Sequence, residues 1–389
     1  MYKMGKAEAD AASRVIKSGK LFRYLGGEER ESVLFEKEWS EKIGVIYTLT
    51  VTSGTAGLIC GLVGLNIGPG DEVIVPGYTF MASAMAPLAV GAIPVIAEID
   101  ESLTIDPDDI ERKITPRTKA IMPVHMNGLP SDMDKVMQIA RKNKLFVIED
   151  CAQADGGSYK GERLGSIGDV SEFSFNYWKI VTCGEGGAVC TNKREIYERA
   201  VILHDSACIF RDYASGMTVP FFCGWNFRTN EILTAIMRVQ LKRLDGILKT
   251  LRSKKALLMD ELYDVSAFKF NRINDEKGDC GTSLMTMLES AKHARTFTEK
   301  ASKEGVPTGL LIDSGRHVYS NWETVLNKAG AHHPKMNPYN NPDVKIEYSK
   351  DMCPKTLDIA ERTACIGINI DWTKKQIKEM AKKIRKAAA

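Results

Sequence analysis

The sequence predicts an α/β protein with a large three-layer domain around a mostly parallel sheet and a smaller α+β domain at the C-terminus. Short apolar runs rich in β-branched residues alternate with helical patterns between about residues 45 and 200. That alternation is typical of a parallel sheet with helices on both faces. The chain has 389 residues, 44% of them hydrophobic, which is enough for a large core. A helical pattern from Asn230 to Val265 links the two domains, which we place at 1–245 (N-terminal segment included) and 246–389.

Each element of the large domain is predicted from its own run of residues, and turn sequences such as Gly68–Asp71 separate the runs. The predicted strands are Val45–Thr52, Glu72–Pro76, Ile93–Ile99, Ala120–His125, Leu145–Glu149, Val170–Asn176 and Gly187–Thr191. The predicted helices are Ala56–Leu65, Tyr78–Val90, Asp106–Lys113, Ser131–Asn143 and Asn230–Val265. Apolar residues recur in the helices at the spacing that lines one helix face.

Charge and hydropathy exclude two classes of partner. The formal net charge is +3, and no basic block carries interleaved aromatic residues, so we expect no nucleic-acid binding. The longest apolar stretch, Phe80–Ile96, is interrupted by Pro87 and Pro94 and is too short to span a bilayer. We therefore expect no membrane association.

Cysteine and histidine spacing predicts neither a disulfide scaffold nor a metal site. The nine cysteines are scattered, and no two form a metal-type pair. His332 and His333 are adjacent in a loop rich in Pro and Asn, which is poor geometry for zinc. The N-terminal residues lack the apolar core of a signal peptide. These features favour a cytoplasmic protein with reduced thiols and no metal.

Three segments carry most of the candidate chemistry, and a fourth, Gly224–Glu231, with an aromatic residue and an arginine just before a long helix, is a possible anion-contacting loop. The first of the three is Ser53-Gly54-Thr55, which follows a predicted strand and opens a predicted helix. Backbone N–H groups at a helix N-terminus attract a phosphate, glycine permits close approach, and the hydroxyls add donors. The same residues also suit an ordinary helix N-cap. The segment lacks the spacing of a P-loop or a dinucleotide fingerprint.

The second segment is an apolar strand that delivers Asp150 at its carboxyl end, where open α/β sheets bind ligands. Glu149 should point to the opposite face, because side chains alternate along a strand. A carboxylate opposite a pyridine nitrogen keeps that nitrogen protonated and makes the ring an electron sink. Asp150 is therefore our candidate for that role, although an acid at a strand end can also serve as a helix cap or an ion-pair partner.

The third segment places Lys179 among aromatic residues just after a strand and before the glycine-rich run Cys183–Gly187. Chemistry based on pyridoxal 5′-phosphate (PLP) needs such a lysine, whose amine forms the internal aldimine and then shuttles protons as acid and base. The glycines let the backbone fold close to a cofactor. Since the chain has many lysines, spacing alone does not distinguish Lys179 from a surface lysine.

Taken in order, the segments resemble those of the DegT/DnrJ-type sugar aminotransferases, within the fold-type I PLP superfamily. The resemblance covers about residues 52–245 and is thinner afterwards. It is carried by the segments SGTA, YTF, PRTKAIMPVH, VIEDCAQADGGSYKG, SFNYWK, GEGGAV and NFRTNEI. One branch of that family has a histidine in place of the lysine and dehydrates sugars; Lys179 favours the aminotransferase branch.

The resemblance implies roles for individual residues. Lys179 matches the Schiff-base lysine, Asp150 the acid at the pyridine nitrogen, and Gln153 a residue near the phenolic oxygen. Phe80 matches an aromatic residue over the ring. Asn226 matches an asparagine that reaches the phosphate of the neighbouring subunit, which implies a homodimer with shared active sites. The positions that match phosphate contacts are Ser53, Gly54, Thr55 and Ser174.

The implied reaction transfers an amine from glutamate or glutamine to PLP, which gives pyridoxamine phosphate, and then to a keto-sugar. Further segments resemble the 8-amino-3,8-dideoxy-manno-octulosonate transaminases, so that the acceptor is either a sugar acid of that kind or a nucleotide-linked sugar. Residues that could meet a phosphate, nucleotide or carboxylate of the substrate, and that could equally be structural, are Arg23, Tyr24, Arg211, Arg316 and His317.

Two alternatives remain at this stage. The same site could aminate a cyclitol ketone in antibiotic biosynthesis, or the fold could belong to a non-enzymatic regulator. The regulator should have lost the lysine or the aspartate, and this chain keeps both Lys179 and Asp150. A PLP lyase is a further possibility, because the same cofactor chemistry supports several outcomes.

Overall fold

The computed structural model describes residues 3–389 and contains two main sheets, one of seven and one of four strands, with helices around them. The helices are α1 (Lys6–Ser18), α2 (Glu31–Ile43), α3 (Gly54–Gly64), α4 (Ala82–Ala89), α5 (Pro107–Lys113), α6 (Met133–Asn143), α7 (Arg194–His204), α8 (Glu231–Asp260), α9 (Ala291–Lys303), α10 (Glu323–Leu326), α11 (Pro354–Arg362) and α12 (Lys374–Ala388). The strands are β1 (Tyr47–Val51), β2 (Glu72–Pro76), β3 (Ile93–Ala97), β4 (Thr118–Ile121), β5 (Phe146–Asp150), β6 (Ser158–Tyr159), β7 (Glu162–Arg163), β8 (Val170–Ser174), β9 (Gly187–Thr191), β10 (Phe268–Phe270), β11 (Ser283–Leu288), β12 (Thr308–Leu310) and β13 (Thr363–Gly367).

The large sheet has the strand order β1-β9-β8-β5-β4-β2-β3. All neighbours from β8 to β3 pair in parallel, whereas β9 runs antiparallel to both β1 and β8. The prediction of a mostly parallel sheet is confirmed, with β9 as the one reversed strand of this sheet. Parallel strands of this kind are stable only when both faces are covered.

Alternation along the strands divides the large domain into two apolar layers. In β2, Val73 and Val75 face the core beneath α3, α4 and α7, whereas Ile74 faces the core shared with α2, α6 and α8. In β5, Val147 and Ile148 divide in the same way. A strand buried on both faces reads as a continuous apolar run, which is why these segments were predictable. The three-layer α/β architecture is as predicted.

An aromatic cluster secures α2 to the sheet. Trp39 is fully buried, and its ring packs edge-on against Phe173 and Phe175 of the β8 segment, with centroids 5.1 and 5.0 Å away. Phe35, one turn earlier on α2, completes the cluster. Edge-to-face pairs of this kind add stability beyond the area they bury.

Helix α8 connects the large sheet to the small one. Its 30 residues span about 45 Å, and the predicted domain boundary between residues 245 and 246 falls inside it. Beyond the helix, β10, β11, β13 and β12 form an antiparallel sheet that packs against α9 and α11, while α12 packs against α8 and α9. Within residues 3–389, no helix combines the length and the apolar character needed to cross a bilayer.

One predicted helix begins too early. The segment Tyr78–Val90 was expected to be helical throughout, but α4 starts only at Ala82. The amides of Thr79 and Met81 donate instead to the carbonyls of His317 and Arg316, at 2.9 and 3.1 Å. Pairing with a distant loop therefore replaces the first turn of the helix, an effect that local periodicity does not reveal.

Replacement of Trp39 by alanine is expected to destabilise the protein by about 3–5 kcal/mol, because it removes a fully buried side chain with its aromatic contacts. The shift in the urea unfolding midpoint, at fixed protein concentration, measures this effect. Tyr263→Ala removes an aromatic ring that is 83% exposed and should cost less than about 0.5 kcal/mol. Equal midpoints for the two variants would contradict the role of the cluster.

Candidate active site

The candidate site lies at the carboxyl edge of the large sheet, where β1, β5 and β8 all end. Parallel pairing places Asp150, the last residue of β5, beside Glu172 of β8. The chain leaves β1 directly into Ser53 and helix α3. Ligands bind at this edge in open α/β sheets, so the fold brings together the three segments that the sequence singled out.

The N-terminus of α3 forms a cradle of backbone amides. The Ser53 hydroxyl caps the helix by accepting the Ala56 amide at 3.1 Å, while the amides of Gly54 and Thr55 have no acceptor among residues 3–389. Gly187 crosses this turn so closely that a Cβ there would lie 2.5 Å from the Ser53 carbonyl. Free amides at a helix N-terminus suit a phosphate, and the buried Ser174 lies against Gly54.

Lys179 lies in the loop between β8 and β9. Backbone bonds from Tyr177 to Gly184 and from Phe175 to Gly186 close this loop, and the Lys179 amide donates to the Asn176 carbonyl at 2.9 Å. Gly184 takes a positive φ of 95°, which favours glycine. The half-buried Lys179 amine has no hydrogen-bond or ion-pair partner in residues 3–389. It is therefore free to react.

Asp150 and Glu149 have different environments on the two faces of β5. Asp150 accepts the Ser83 hydroxyl at 2.7 Å and the Ala152 amide at 3.1 Å. Glu149 faces the other way, as the sequence predicted, and accepts the amides of Gly165, Ile167 and Gly168 at 2.7–2.9 Å. Glu149 is thus a structural anchor, whereas Asp150 faces the layer that contains α3 and α4.

His125, Glu149 and Cys151 place three possible metal-ligand atoms within 4.8 Å of one another, but those of His125 and Glu149 are already hydrogen-bonded within the protein. His125 Nδ1 accepts the Ser131 amide, so Nε2 carries the proton that faces Glu149 at 3.2 Å. Burial, followed by the charge of Glu149, raises the pKa of the Cys151 thiol. We assign no metal to this cluster.

Gln153 lies next to Asp150 in the loop after β5. Its side-chain oxygen accepts the Asn127 amide at 3.1 Å, and the Asn127 side chain donates to the buried Tyr78 hydroxyl at 3.0 Å. This chain of bonds ties the β5 loop to the segment that precedes α4. Gln153 is therefore held in place on the same side of the sheet as Asp150.

Phe80, Arg316 and His317 meet beside Lys179. The rings of Phe80 and His317 are 5.8 Å apart, and Phe80 remains 40% exposed. The Ser314 hydroxyl lies 2.5 Å from His317 Nδ1. Burial, reinforced by the positive charges of Arg316 and Lys179, lowers the pKa of His317 to about 4. His317 is therefore a neutral imidazole at physiological pH. The neighbouring Arg316 is exposed and is the solvent-facing cation of this group.

Asp205 organises a second cluster around Asn226. Although burial alone would raise its pKa, hydrogen bonds from Arg211, Tyr213 and Arg228 hold the pKa of Asp205 at about 2. The distances are 2.7 Å to Arg211, 3.0 Å to Tyr213 and 2.6 Å to Arg228. The backbone of Asp205 pairs with Asn226, whose side chain is exposed. The next residue, Phe227, accepts the Thr52 amide at 3.0 Å, which connects this cluster to the cradle.

Arg23 and Tyr24 belong to this second cluster and not to the group around Lys179. Arg23 is 6% exposed, and its guanidinium binds the Glu36 carboxylate at 2.7 Å and the Thr50 hydroxyl at 2.6 Å. Tyr24 contacts the Tyr213 hydroxyl at 3.1 Å, and the Arg211 guanidinium stacks 3.9 Å from the centre of its ring. Arg23 is thus occupied by structural partners, and Arg211 is held by Asp205 and Tyr24.

Three residues near Asp150 or Lys179 were not identified from the sequence: Ser83, Asp155 and Glu172. Ser83 stands on α4, and only the fold places it against Asp150. Asp155 is fully buried, and that burial raises its pKa well above the usual range even though the Lys179 charge opposes the shift. Glu172 was detectable in principle, because an acid in a fully buried strand is unusual.

The seven-stranded sheet and its edge, with a free lysine and a strand-end aspartate, define a fold-type I transferase. The profile of the DegT/DnrJ/EryC1/StrS aminotransferase family matches residues 3–385, and the chain therefore belongs to this family. The family resemblance and the fold type predicted from the sequence are both confirmed.

Named relatives act on several kinds of acceptor. The chain is 42% identical over 249 residues (63% of this chain, 62% of the relative) to the dTDP-3-amino-3,4,6-trideoxy-alpha-D-glucose transaminase of Streptomyces venezuelae. It is 43% identical over 319 residues (80% and 84%) to the dTDP-3-amino-3,6-dideoxy-alpha-D-galactopyranose transaminase of Aneurinibacillus thermoaerophilus. It is also 36% identical over 265 residues (65% and 62%) to the L-glutamine:2-deoxy-scyllo-inosose aminotransferase of Streptoalloteichus tenebrarius. The first and third matches span less than two thirds of those relatives.

Solved structures match over the whole chain. The crystal structure of 3-amino-5-hydroxybenzoic acid synthase superposes with a TM-score of 0.83 at 26% identity, covering 100% of this chain and 97% of that chain. The X-ray structure of an aminotransferase from Psychrobacter cryohalolentis gives 0.82 at 29% identity, covering 99% and 97%. The small domain, where the sequence resemblance was thin, is thus included in the structural match.

The His317 imidazole is expected to titrate with a midpoint near pH 4, because it is buried beside two cations. In the unfolded chain its pKa is about 6.5, so the unfolded state takes up the proton first as the pH falls. The contribution of His317 to stability is therefore lost between about pH 6.5 and pH 4. NMR titration of the imidazole, assigned by comparison with His317→Gln, measures the midpoint, and a value near 6.5 would contradict this description.

Proposed function

We propose that this protein is a PLP-dependent aminotransferase that moves an amino group from glutamate or glutamine to a keto-sugar. The observation that carries the proposal is the half-buried Lys179 amine, which has no partner among residues 3–389 and whose positive charge acts on Asp155, Glu172 and His317 at the carboxyl edge of the sheet. Family membership supports the reaction class. The names of two relatives as nucleotide-sugar transaminases support the acceptor class.

The residues present fit PLP. The free amides of Gly54 and Thr55, with the hydroxyls of Ser53 and Ser174, would hold its phosphate at the start of α3. Asp150 would face the pyridine nitrogen, Gln153 the phenolic oxygen, and Phe80 the ring. When bound, PLP supplies an electron sink and carries the amine between donor and acceptor.

Lys179 then has two tasks in this proposal. Its amine would hold the cofactor, and the same amine would move a proton at the substrate carbon in each half of the reaction. Asp150 is held in place for this purpose, since the Ser83 hydroxyl and the Ala152 amide both donate to it. His317, held neutral beside Lys179, adds no positive charge that would compete for the proton.

Arg316 is our candidate for binding an anionic group of the substrate. It is exposed, and its backbone is fixed by the Met81 amide at 3.1 Å. A guanidinium binds a phosphate or a carboxylate in bidentate fashion, so both nucleotide-linked sugars and sugar acids fit. A cyclitol ketone, the second candidate acceptor, carries no such anion; it is favoured only by the relative named for 2-deoxy-scyllo-inosose.

We also propose a homodimer with shared active sites. Asn226 is exposed in this chain, and large apolar side chains around the Asp205 cluster share that exposure: Phe210 at 64%, Trp225 at 51% and Phe22 at 41%. Grouped exposed apolar residues mark interaction surfaces. A second copy seated here would cover them and bring its own Asn226 toward the phosphate cradle.

Lys179→Ala is expected to abolish covalent fixation of PLP by borohydride and to lower transamination by at least about 10²–10⁴-fold, because the variant loses both the attachment point and the proton carrier. Mass spectrometry of the peptide that contains residue 179 measures the fixation. Lys249→Ala, on the exposed side of α8, is the matched control and should retain both properties. Fixation of PLP on the Lys179→Ala protein would refute the assignment.

Mixing Lys179→Ala with Asn226→Asp subunits tests the shared site. Each mixed dimer keeps one intact site, because the functional lysine of one subunit meets the functional asparagine of the other. Random exchange in an equal mixture should then restore about a quarter of wild-type activity. An activity that stays at the sum of the two separate variants would exclude a contribution of Asn226 across the interface.

A further inference from the structure

Glu172 is a buried acid to which the proposed reaction assigns no role. It lies in the middle of the large sheet on β8, is 1% exposed, and is the register neighbour of Asp150 on β5. Neither of its carboxyl oxygens has a hydrogen-bond donor among residues 3–389. A buried acid without donors is costly as an anion.

Two other buried acids of this protein receive backbone donors, whereas the fully buried Asp155, like Glu172, has no donor to either carboxyl oxygen among residues 3–389. Glu149, which is fully buried, accepts three backbone amides, and Glu198, at 4% exposure, accepts the amides of Thr218 and Val219 at 2.8 and 3.2 Å. Although burial opposes it, the backbone amide of Thr218 and its neighbours lower the pKa of Glu198, so a buried carboxyl is accommodated in this fold where the backbone supplies amides. Glu172 lacks them, which sets it apart from these structural acids.

The Glu172 carboxyl lies directly beneath the cradle. A Cβ on Gly54 would come within 2.2 Å of its Oε1 atom, and a Cβ on Gly57 within 2.8 Å of its Cγ atom. The two glycines thus make room for this side chain under the first turn of α3. The dipole of α3 favours an anion here, but no amide of that turn bonds to Glu172, so this stabilisation is not realised as a hydrogen bond.

The surrounding charges are mostly negative. Asp150 and Asp155 face Glu172 from β5 and from the loop that follows it, Cys151 lies between them, and Lys179 is the facing cation. Burial, followed by the charge of Asp150, raises the pKa of Glu172 well above its usual range, and Lys179 opposes the shift. A phosphate bound in the cradle would add further negative charge.

Resting on the proposed function, the geometry points to Glu172 as a neutral acid that keeps its proton, donates a hydrogen bond to the carboxylate of its register neighbour Asp150, and so positions Asp150 toward the cofactor. Asp150 has two other donors, Ser83 at 2.7 Å and the Ala152 amide at 3.1 Å, whereas Glu172 has none. When two acids share one proton, the one with more donors keeps the charge. Glu172 is thus a positioning residue that acts through Asp150.

Infrared difference spectroscopy tests the protonation state directly and needs no cofactor. At neutral pH, wild type minus Glu172→Gln should show the carbonyl stretch of one neutral carboxylic acid. Glu162→Gln, which changes an exposed acid on β7, is the matched control and should show loss of a carboxylate instead. A carboxylate band in the Glu172 difference spectrum would overturn the proposal, even in a protein that binds no PLP.

The visible absorbance of bound PLP, titrated with pH, tests the positioning role. Glu172→Gln keeps a donor of similar shape, so the midpoint of the PLP titration should stay within about 0.3 pH units of wild type. If Glu172 were instead a buried anion, its loss in this variant would lower the midpoint by about one unit or more. Glu172→Leu removes the donor and should shift the midpoint by more than Glu172→Gln does. Equal shifts of the midpoint in the two variants would overturn the positioning role. If wild type binds PLP and neither variant does, Glu172 is needed for the phosphate cradle itself.

Discussion

The parallel pairing of β5 with β8 is the constraint on which the site depends. It places Asp150 and Glu172 side by side, starts the loop that carries Lys179, and directs all three toward the edge where β1 enters α3. A slip of one residue in this register would turn Asp150 toward the layer of Glu149. The aromatic packing of Trp39 against Phe173 and Phe175 holds β8 from the opposite face.

The same architecture explains why two acids with different environments, Glu149 and Asp150, stand next to each other. Along β5, Glu149 and Asp150 are consecutive, yet one is saturated by backbone amides while the other has a serine hydroxyl and one amide. Side-chain alternation assigns them to different layers, and each layer supplies its own donors. The different hydrogen-bonding environments of these two carboxyl groups thus arise from the alternation of side chains in the sheet.

Much of the large domain was predictable because its signals are local. The bounds of β2 and β9 match the prediction residue for residue, since Glu72–Pro76 and Gly187–Thr191 are self-contained apolar runs. Lys179 and Asp150 were found because each lies at a strand end in a recognisable segment. The start of α4 and the contact of Ser83 with Asp150 depend on pairing across more than sixty residues of sequence, which no local pattern carries. Helices α1 and α2 and the strands of the small sheet were likewise not predicted, because their apolar faces are short and are completed by distant partners.

The packing of Gly54 and Gly57 on Glu172 also limits how this chain can change over evolutionary time. A side chain at either glycine position would need a shorter residue at 172 first, because the space is already filled. Conversely, shortening Glu172 alone would leave a void beneath the helix start, which close-packed interiors resist. Positions 57 and 172 should therefore covary, and a homologue with a small residue at 172 should accept a small side chain at 57, whereas position 54 stays restricted because a Cβ on Gly54 would also lie 2.9 Å from the Cβ atom of Ser174.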